Sequence, residues 1–311
     1  MTLAFMFSGQ GAQYTGMGQD LLAAYPELTS YFDRASQVVG YDMQDLCFNQ
    51  TEKIHLTEYT QPAILTVSTA IHHLLDQAGI EADYLAGLSL GEYSALVAAG
   101  VLDFDQAVRI VQNRGRFMAH AVPNGVGKMV AVMNADRDLI EEICAACRDQ
   151  LGSYVAPANY NTPKQIVIGG DNQAVDLACE KLQAAGVRKL IPLQVSGPFH
   201  TALLAPAAQE LADYIADEDF KPLAKPVISN TTARPHTDQD LKARLADQVM
   251  MGVRWQDSID YLIDQGVDTF VELGPGKTLM KFMKQIDKSV QAYHVEDVAS
   301  LEKTLAALKG D

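Results

Sequence analysis

The chain has 311 residues, 48% of them hydrophobic and 20% charged, and a formal net charge of −15. That length and composition suit one large domain or two unequal ones with a full core. The acidic balance excludes nucleic acid as the main partner, because phosphate binding needs a basic face. No run approaches the roughly 18 apolar residues of a membrane span, so no membrane partner is expected. Met1–Phe7 is apolar, short and preceded by no basic residue, and a reducing cytoplasm is the expected setting.

Leu3–Phe7 reads as a buried first strand and Gly16–Ala24 as helical. Ala63–Leu75 reads as a helix that begins at Gln61-Pro62, where the missing proline N–H costs nothing. Tyr84–Leu88 is a short strand, Glu92–Ala99 the helix after it, and Asp105–His120 a further long helix. This alternation predicts α/β with a mostly parallel sheet. From Lys128 the pattern changes. Lys128–Met133, Val155–Asn159, Gln165–Ile168 and Arg188–Leu193 read as strands, with helices over Asp136–Cys147 and Asp171–Ala185. Their order, βαββαβ, is the ferredoxin-like unit. Gly125-Val-Gly127 and Ser196-Gly-Pro198 flank it as hinges, so residues 125–195 are expected to form an inserted subdomain. Residues 1–124 and 196–311 then form a discontinuous core, which resumes with Pro226–Ser229, a helix around Gln239–Met250 and a strand over Asp268–Leu273.

Gly87-Leu-Ser-Leu-Gly91 fits the G-x-S-x-G nucleophile elbow and lies between a strand and a helix, as that motif requires. The glycines allow a sharp turn that projects the serine hydroxyl, and the helix N-terminus behind it offers N–H donors to a developing oxyanion. Ser8-Gly-Gln-Gly-Ala-Gln13 follows the first strand but breaks the dinucleotide G-x-G-x-x-G spacing at Tyr14. It reads as a turn, or as a loop offering a second oxyanion N–H. Gly274-Pro-Gly-Lys-Thr278 mimics the end of a P-loop but has Val271 where the first glycine belongs, which favours a tight turn over nucleotide binding. Cys144 and Cys147 form a C-x-x-C at helical spacing without a second ligand pair, so they read as core and no metal is expected.

A serine nucleophile needs a base. His55, His72, His73, His120, His236 and His294 carry no surrounding motif and read as surface or boundary residues, whereas His200 follows a strand and a Gly-Pro turn. Arg114, beside Arg116, is either a surface arginine with an acidic neighbour or a buried guanidinium awaiting a carboxylate.

Taken in order, Gly9–Gln13, Thr60-Gln-Pro-Ala63, Gly87–Ser94, Arg114-Gly115, Asn159-Tyr-Asn161, Gly197-Pro-Phe-His200, Val253-Arg-Trp255 and Glu272–Gly276 resemble the malonyl-CoA:acyl carrier protein transacylase family from Phe5 to about Leu279. The resemblance implies an α/β-hydrolase-like parallel-sheet core with an inserted ferredoxin-like subdomain. It implies Ser89 as nucleophile, His200 as base, and the backbone N–H groups of Gln10 and Leu90 as oxyanion donors. The Gln248 backbone carbonyl would orient the imidazole, so the Gln248 side chain is expected to matter little. Arg114 would bind the malonyl carboxylate, Gln61 would line the same pocket, and Phe199 resembles the bulky residue of malonyl-selective members. Leu88 departs from the family's usual G-H-S-x-G elbow and adds apolar bulk beside the acyl pocket. The implied partners are malonyl-CoA and acyl carrier protein, with no cofactor and a monomeric chain. Lys164, Arg188, Lys189 and Lys277 are candidates for a basic rim that steers the acidic carrier. The rival readings are a serine esterase or thioesterase and, from the Gly274–Thr278 loop, a nucleotide-binding protein.

Overall fold

The computed structural model describes residues 1–123, 125–195 and 197–310, so the hinge position expected at Ser196 lies outside the described residues. The first part runs β1 (Leu3–Phe7), α1 (Gln19–Ala24), α2 (Thr29–Val39), α3 (Met43–Asn49), α4 (Thr57–Gln77), β2 (Tyr84–Gly87), α5 (Gly91–Ala98) and α6 (Phe104–His120). The middle runs β3 (Lys128–Met133), α7 (Arg137–Leu151), β4 (Val155–Thr162), β5 (Gln165–Gly170), α8 (Asn172–Ala184) and β6 (Lys189–Pro192). The remainder is α9 (Ala205–Ile215), α10 (Leu241–Met250), α11 (Trp255–Asp264), β7 (Thr269–Leu273), α12 (Thr278–Ile286), β8 (Gln291–Val295) and α13 (Val298–Lys309).

The larger sheet is parallel, in the order β2-β1-β7-β8. Successive side chains of β1 point to opposite faces. Leu3, Phe5 and Phe7 join the core beneath α4 and its neighbours, while Ala4 and Met6 join Trp255, Ile259, Leu262 and Phe282 on the other face. Both faces are therefore buried, as a parallel sheet requires. Pro226–Ser229 adds to the free edge of β2 by a bridge between Leu85 and Val227, so it extends the sheet without forming a full strand.

The second sheet is antiparallel, in the order β4-β5-β3-β6. With two helices on one face, this is the ferredoxin-like arrangement expected from the βαββαβ pattern. Val130 and Val132 pack under α7 and α8 with Cys144 and Cys147, whereas Met129, Ala131 and Val167 look the other way into a cleft. The core touches this sheet through Val253, whose N–H and C=O bond to Ala158 and Tyr160 of β4.

Pro62 lies inside α4, not at its start. Helical turning begins upstream, where the Tyr59 and Thr60 N–H groups bond to Leu56 O and the Thr60 hydroxyl to Ile54 O. One backbone bond is lost at the proline. Burial of Ile64, Leu65 and Val67 on the first turns beyond it keeps the helix continuous.

Helices α4 and α6 cross closely at Gly115. A Cβ there would lie 2.8 Å from Thr57 O and 2.9 Å from Glu58 Cα, both backbone atoms. We expect Gly115→Ala to force the helices apart and cost about 1–3 kcal/mol. Chemical denaturation measures it, and a variant as stable as the wild type would refute a tight crossing here.

Candidate active site

The chain turns from β2 into α5 at Ser89, whose φ of 53° lies in the left-handed region. A Cβ at Gly87 would sit 1.9 Å from Gly91 C, and one at Gly91 would sit 2.1 Å from Phe7 O, so only glycine fits either place. A non-glycine residue in this conformation costs on the order of 1–3 kcal/mol and needs holding. Asn230 holds it. Its Oδ1 accepts from Ser89 N at 2.6 Å while its Nδ2 donates to Gly87 O at 2.7 Å, stapling both sides of the turn. Gln248 Nε2 adds a bond to Ser89 O at 3.0 Å.

His200 also has a left-handed backbone, with φ 58°, and lies buried in the same cavity as Ser89. Its Nδ1 is 2.7 Å from the Gln248 carbonyl. A carbonyl only accepts, so Nδ1 carries the proton and Nε2 keeps its lone pair. Burial, and then the Arg114 charge, pull the His200 pKa down to about 4, against the Gln248 carbonyl, which raises it. Among the described residues, neither the Gln10 nor the Leu90 N–H has a backbone acceptor, which leaves both able to serve an oxyanion. The Gln10 side chain donates to Thr57 Oγ1 at 3.0 Å.

Arg114 is 1% exposed, which removes its surface reading. Its Nη1 donates to Gln61 Oε1 at 2.8 Å, and its Nη2 to Gln248 Oε1 at 2.7 Å and Ser89 Oγ at 3.1 Å. The guanidinium lies 5.4 Å from the centre of the Tyr93 ring. Its Nε is buried with no hydrogen-bond partner among the described residues. Among the described residues no carboxylate bonds it, and burial lowers its pKa. The Gln248 side chain, expected to matter little, bonds Arg114, Ser89 O and Glu92 Oε2 at once.

Ser89, His200 and Gln10 open onto a cavity of about 430 Å³ between the two sheets, whereas Arg114, Gln61, Leu90 and Gln248 do not line it. Gln10, Leu88, Phe199 and His200 line it from the core, and Met129, Ala131, Asn159 and Asn161 from the ferredoxin-like side. Leu88 therefore does place apolar bulk beside the nucleophile. Lys164, Arg188, Lys189 and Lys277 are all exposed. Lys164 and Lys277 adjoin the lining residues Gln165 and Thr278, while Arg188 and Lys189 have no such neighbour in sequence. The Gly274–Thr278 loop gives its N–H groups to protein acceptors: Gly276 to Glu296 Oε2 at 2.8 Å and Gly274 to Val295 O at 3.1 Å. An acidic side chain stands where a P-loop would receive phosphate.

Sequence reasoning missed three residues. His236 reads as a boundary histidine but is buried, with Nε2 2.6 Å from Glu92 Oε1. Asn230 carries no motif. Glu92 lay in view as the one charged residue of Gly91–Ala98, and a lone acid in so apolar a helix signals a buried charge.

The model of the acyl transferase domain family matches residues 4–307. The chain is 41% identical over 309 residues to the malonyl CoA-acyl carrier protein transacylase of Bacillus subtilis (strain 168), covering 99% of this chain and 97% of that one. It superposes with TM-score 0.95 on the crystal structure of MCAT from Streptococcus pneumoniae, at 49% identity, covering 98% of this chain and 100% of that one. A malonyl-transacylase in complex with its type II polyketide synthase acyl carrier protein superposes with TM-score 0.95 at 38% identity, with full coverage of both chains.

Labelling of Ser89 by a fluorophosphonate requires the unprotonated imidazole. Its rate should therefore fall as pH drops through about 4, and stay level from there to neutrality. Arg114→Ala removes one of the two depressing influences, so its acid limb should move up. Intact-mass kinetics across pH read both, and a wild-type limb near the ordinary histidine value of about 6.5 would contradict the geometry.

Proposed function

The chain belongs to the malonyl CoA-acyl carrier protein transacylases of the acyl transferase family, and from that premise we propose that it carries malonyl from coenzyme A to the phosphopantetheine thiol of acyl carrier protein as an ester of Ser89. The observation that carries the proposal is the buried guanidinium of Arg114 beside Ser89 Oγ, with amide partners and no carboxylate of its own.

In the first half-reaction His200 Nε2 takes the Ser89 proton as Oγ attacks the thioester carbon. The N–H groups of Gln10 and Leu90 receive the oxyanion. The C–S bond breaks and the proton passes to the coenzyme A thiolate. In the second half the carrier thiol gives its proton to His200 and attacks the ester. Ser89 Oγ leaves and recovers the proton, and malonyl passes to the carrier by a ping-pong cycle. Arg114 turns from Ser89 Oγ to the malonyl carboxylate, because a charged acceptor outcompetes a hydroxyl. Substrate binding thereby releases the nucleophile, with Gln61 holding the far side of the guanidinium.

Residues 125–195 act in this reading as a subdomain whose Met129, Ala131 and Val167 face receives the pantetheine arm. Phe199 and Leu88 narrow the acyl pocket toward small, unbranched groups. The product, malonyl-acyl carrier protein, supplies fatty acid chain elongation. The chain works as a cytoplasmic monomer, without nucleic acid or a membrane as partner. No helix among the described residues is long and apolar enough to cross a membrane.

Mixing with malonyl-CoA should add one malonyl mass to the Ser89 peptide, and Ser89→Ala should abolish it. An adduct that persists in the alanine variant would sink the nucleophile assignment.

Arg114→Ala should lower kcat/KM for malonyl-CoA by the roughly 30- to 5,000-fold that removing one partner of a desolvated charge pair costs. Arg114→Lys should recover part of the loss, since lysine is a single point charge. Acetyl-CoA has no carboxylate and should lose less. Equal losses on both thioesters would reduce Arg114 to a structural residue and leave an ordinary esterase as the better reading.

A further inference from the structure

Behind the groups that meet substrate stands a single carboxylate. Glu92 lies in the first turn of α5 and is fully buried. Its Oε2 accepts from the Asn230 backbone N–H at 2.9 Å and from Gln248 Nε2 at 2.9 Å. Its Oε1 faces His236 Nε2 at 2.6 Å, and both of these side chains are wholly out of solvent. A carboxylate only accepts, so His236 carries its proton on Nε2. His236 Nδ1 has no partner among the described residues.

Burying a carboxylate and an imidazole side by side is costly, and well-packed apolar residues in their place are often as stable or more so. The fold alone gives no reason for the pair. The two residues it grips do. Asn230 staples the Ser89 turn from both sides, while Gln248 bonds Ser89 O and Arg114 and presents its carbonyl to His200.

We propose that Glu92 and His236 form a buried positioning pair that sets the Gln248 amide and the Asn230 backbone, and through them aligns Ser89, His200 and Arg114 in one geometry. Neither residue touches substrate. Glu92 supplies two acceptor positions that hold the clamps, and His236 fixes the rotation of the carboxylate so that Oε2 faces both clamps together. The proposal rests on Ser89 and His200 being the reactive pair.

The test compares wild type, Glu92→Gln, Glu92→Leu and the double variant Glu92→Leu/His236→Leu. The measurements are melting temperature, the rate of Ser89 labelling by a fluorophosphonate, and kcat and KM with malonyl-CoA. The Gln amide can place its oxygen toward both clamps and its NH2 toward His236 with the imidazole proton moved to Nδ1, so Glu92→Gln should stay within about threefold of wild type. Glu92→Leu and the double variant should label Ser89 slower by about 10²-fold, the scale of a misplacement near 1 Å, with kcat falling alike and KM little changed. The double variant leaves the buried Asn230 N–H without its acceptor, so it should stay folded and melt a few degrees below wild type.

A folded double variant that labels at the wild-type rate would overturn the proposal, and so would its failure to fold, which would make the pair structural. Glu92→Gln as slow as Glu92→Leu at an unchanged melting temperature would assign the effect to the carboxylate charge felt by Arg114, and would also overturn it. Wild-type protein that reacts with fluorophosphonate but takes no malonyl from malonyl-CoA would instead refute the substrate reading and leave the positioning result standing.

Discussion

The amide of Gln248 lies between a buried guanidinium and a buried carboxylate, and those two charges decide which way it points. Its oxygen accepts from Arg114 and its nitrogen donates to Glu92 and to the Ser89 carbonyl. A reversed amide would set donor against donor on one side and acceptor against acceptor on the other. With the side chain fixed, the backbone carbonyl of the same residue meets His200 at a fixed place. One residue thus connects the Ser89 elbow, His200 and Arg114. A carbonyl is also a gentler partner than the aspartate of a serine protease triad, because it stabilises an imidazolium less. Burial and then the nearby guanidinium outweigh its upward pull and leave the His200 pKa at about 4. A base so weak gives its proton back readily. The proposed thiol exchange suits it, since coenzyme A leaves as a thiolate that needs less help than an amine.

Much of the architecture was legible because it is written in local periodicity. The unbroken apolar run of β1, the G-x-S-x-G spacing and the βαββαβ order of the insertion each encode their element within a short window, and each is found where it was read. What failed was decided at longer range. Pro62 reads as a helix start until the turns upstream of it are seen to form against Ile54 and Leu56. His236 reads as a boundary residue because nothing near it in sequence announces Glu92, which precedes it by the whole insertion. The reach of the Gln248 side chain was invisible for the same reason. A family pattern names the carbonyl that orients a base, but only packing shows that the amide beyond it is caught between opposite charges. The stretch Pro226–Ser229 falls between these cases, extended as expected yet joined to β2 by one bridge.

The cleft belongs to both sheets. Ser89 stands at the end of the parallel strand β2, where α/β proteins place their sites, while His200 follows β6 and Arg114 and Gln248 come from α6 and α10. The opposing wall comes from the bare face of the antiparallel sheet, apolar along Met129, Ala131 and Val167 and polar at Asn159 and Asn161. That division separates two demands. The parallel side must hold atoms to within tenths of an ångström, and it is laced with buried hydrogen bonds. The antiparallel side presents an apolar wall and is tied to the core by the backbone bonds at Val253 and by the Arg137–Asp257 ion pair.

The place of β1 in the sheet constrains how the chain is made. β1 leaves the ribosome before the strands it pairs with, yet it ends in the middle of the sheet, between β2 and β7. One of its edges can be covered once residue 87 exists, but the other stays open until residues 269–273 emerge. The ferredoxin-like unit is contiguous and its four strands pair with one another, so it can complete its sheet, all but the bridge to Val253, while the larger one is still open. During that interval an apolar strand edge is exposed, the kind of surface that recruits other strands. Synthesis of this protein therefore passes through a long stage in which the inserted unit is folded and the larger sheet waits for its last strands, and any helper of its folding must guard β1 throughout.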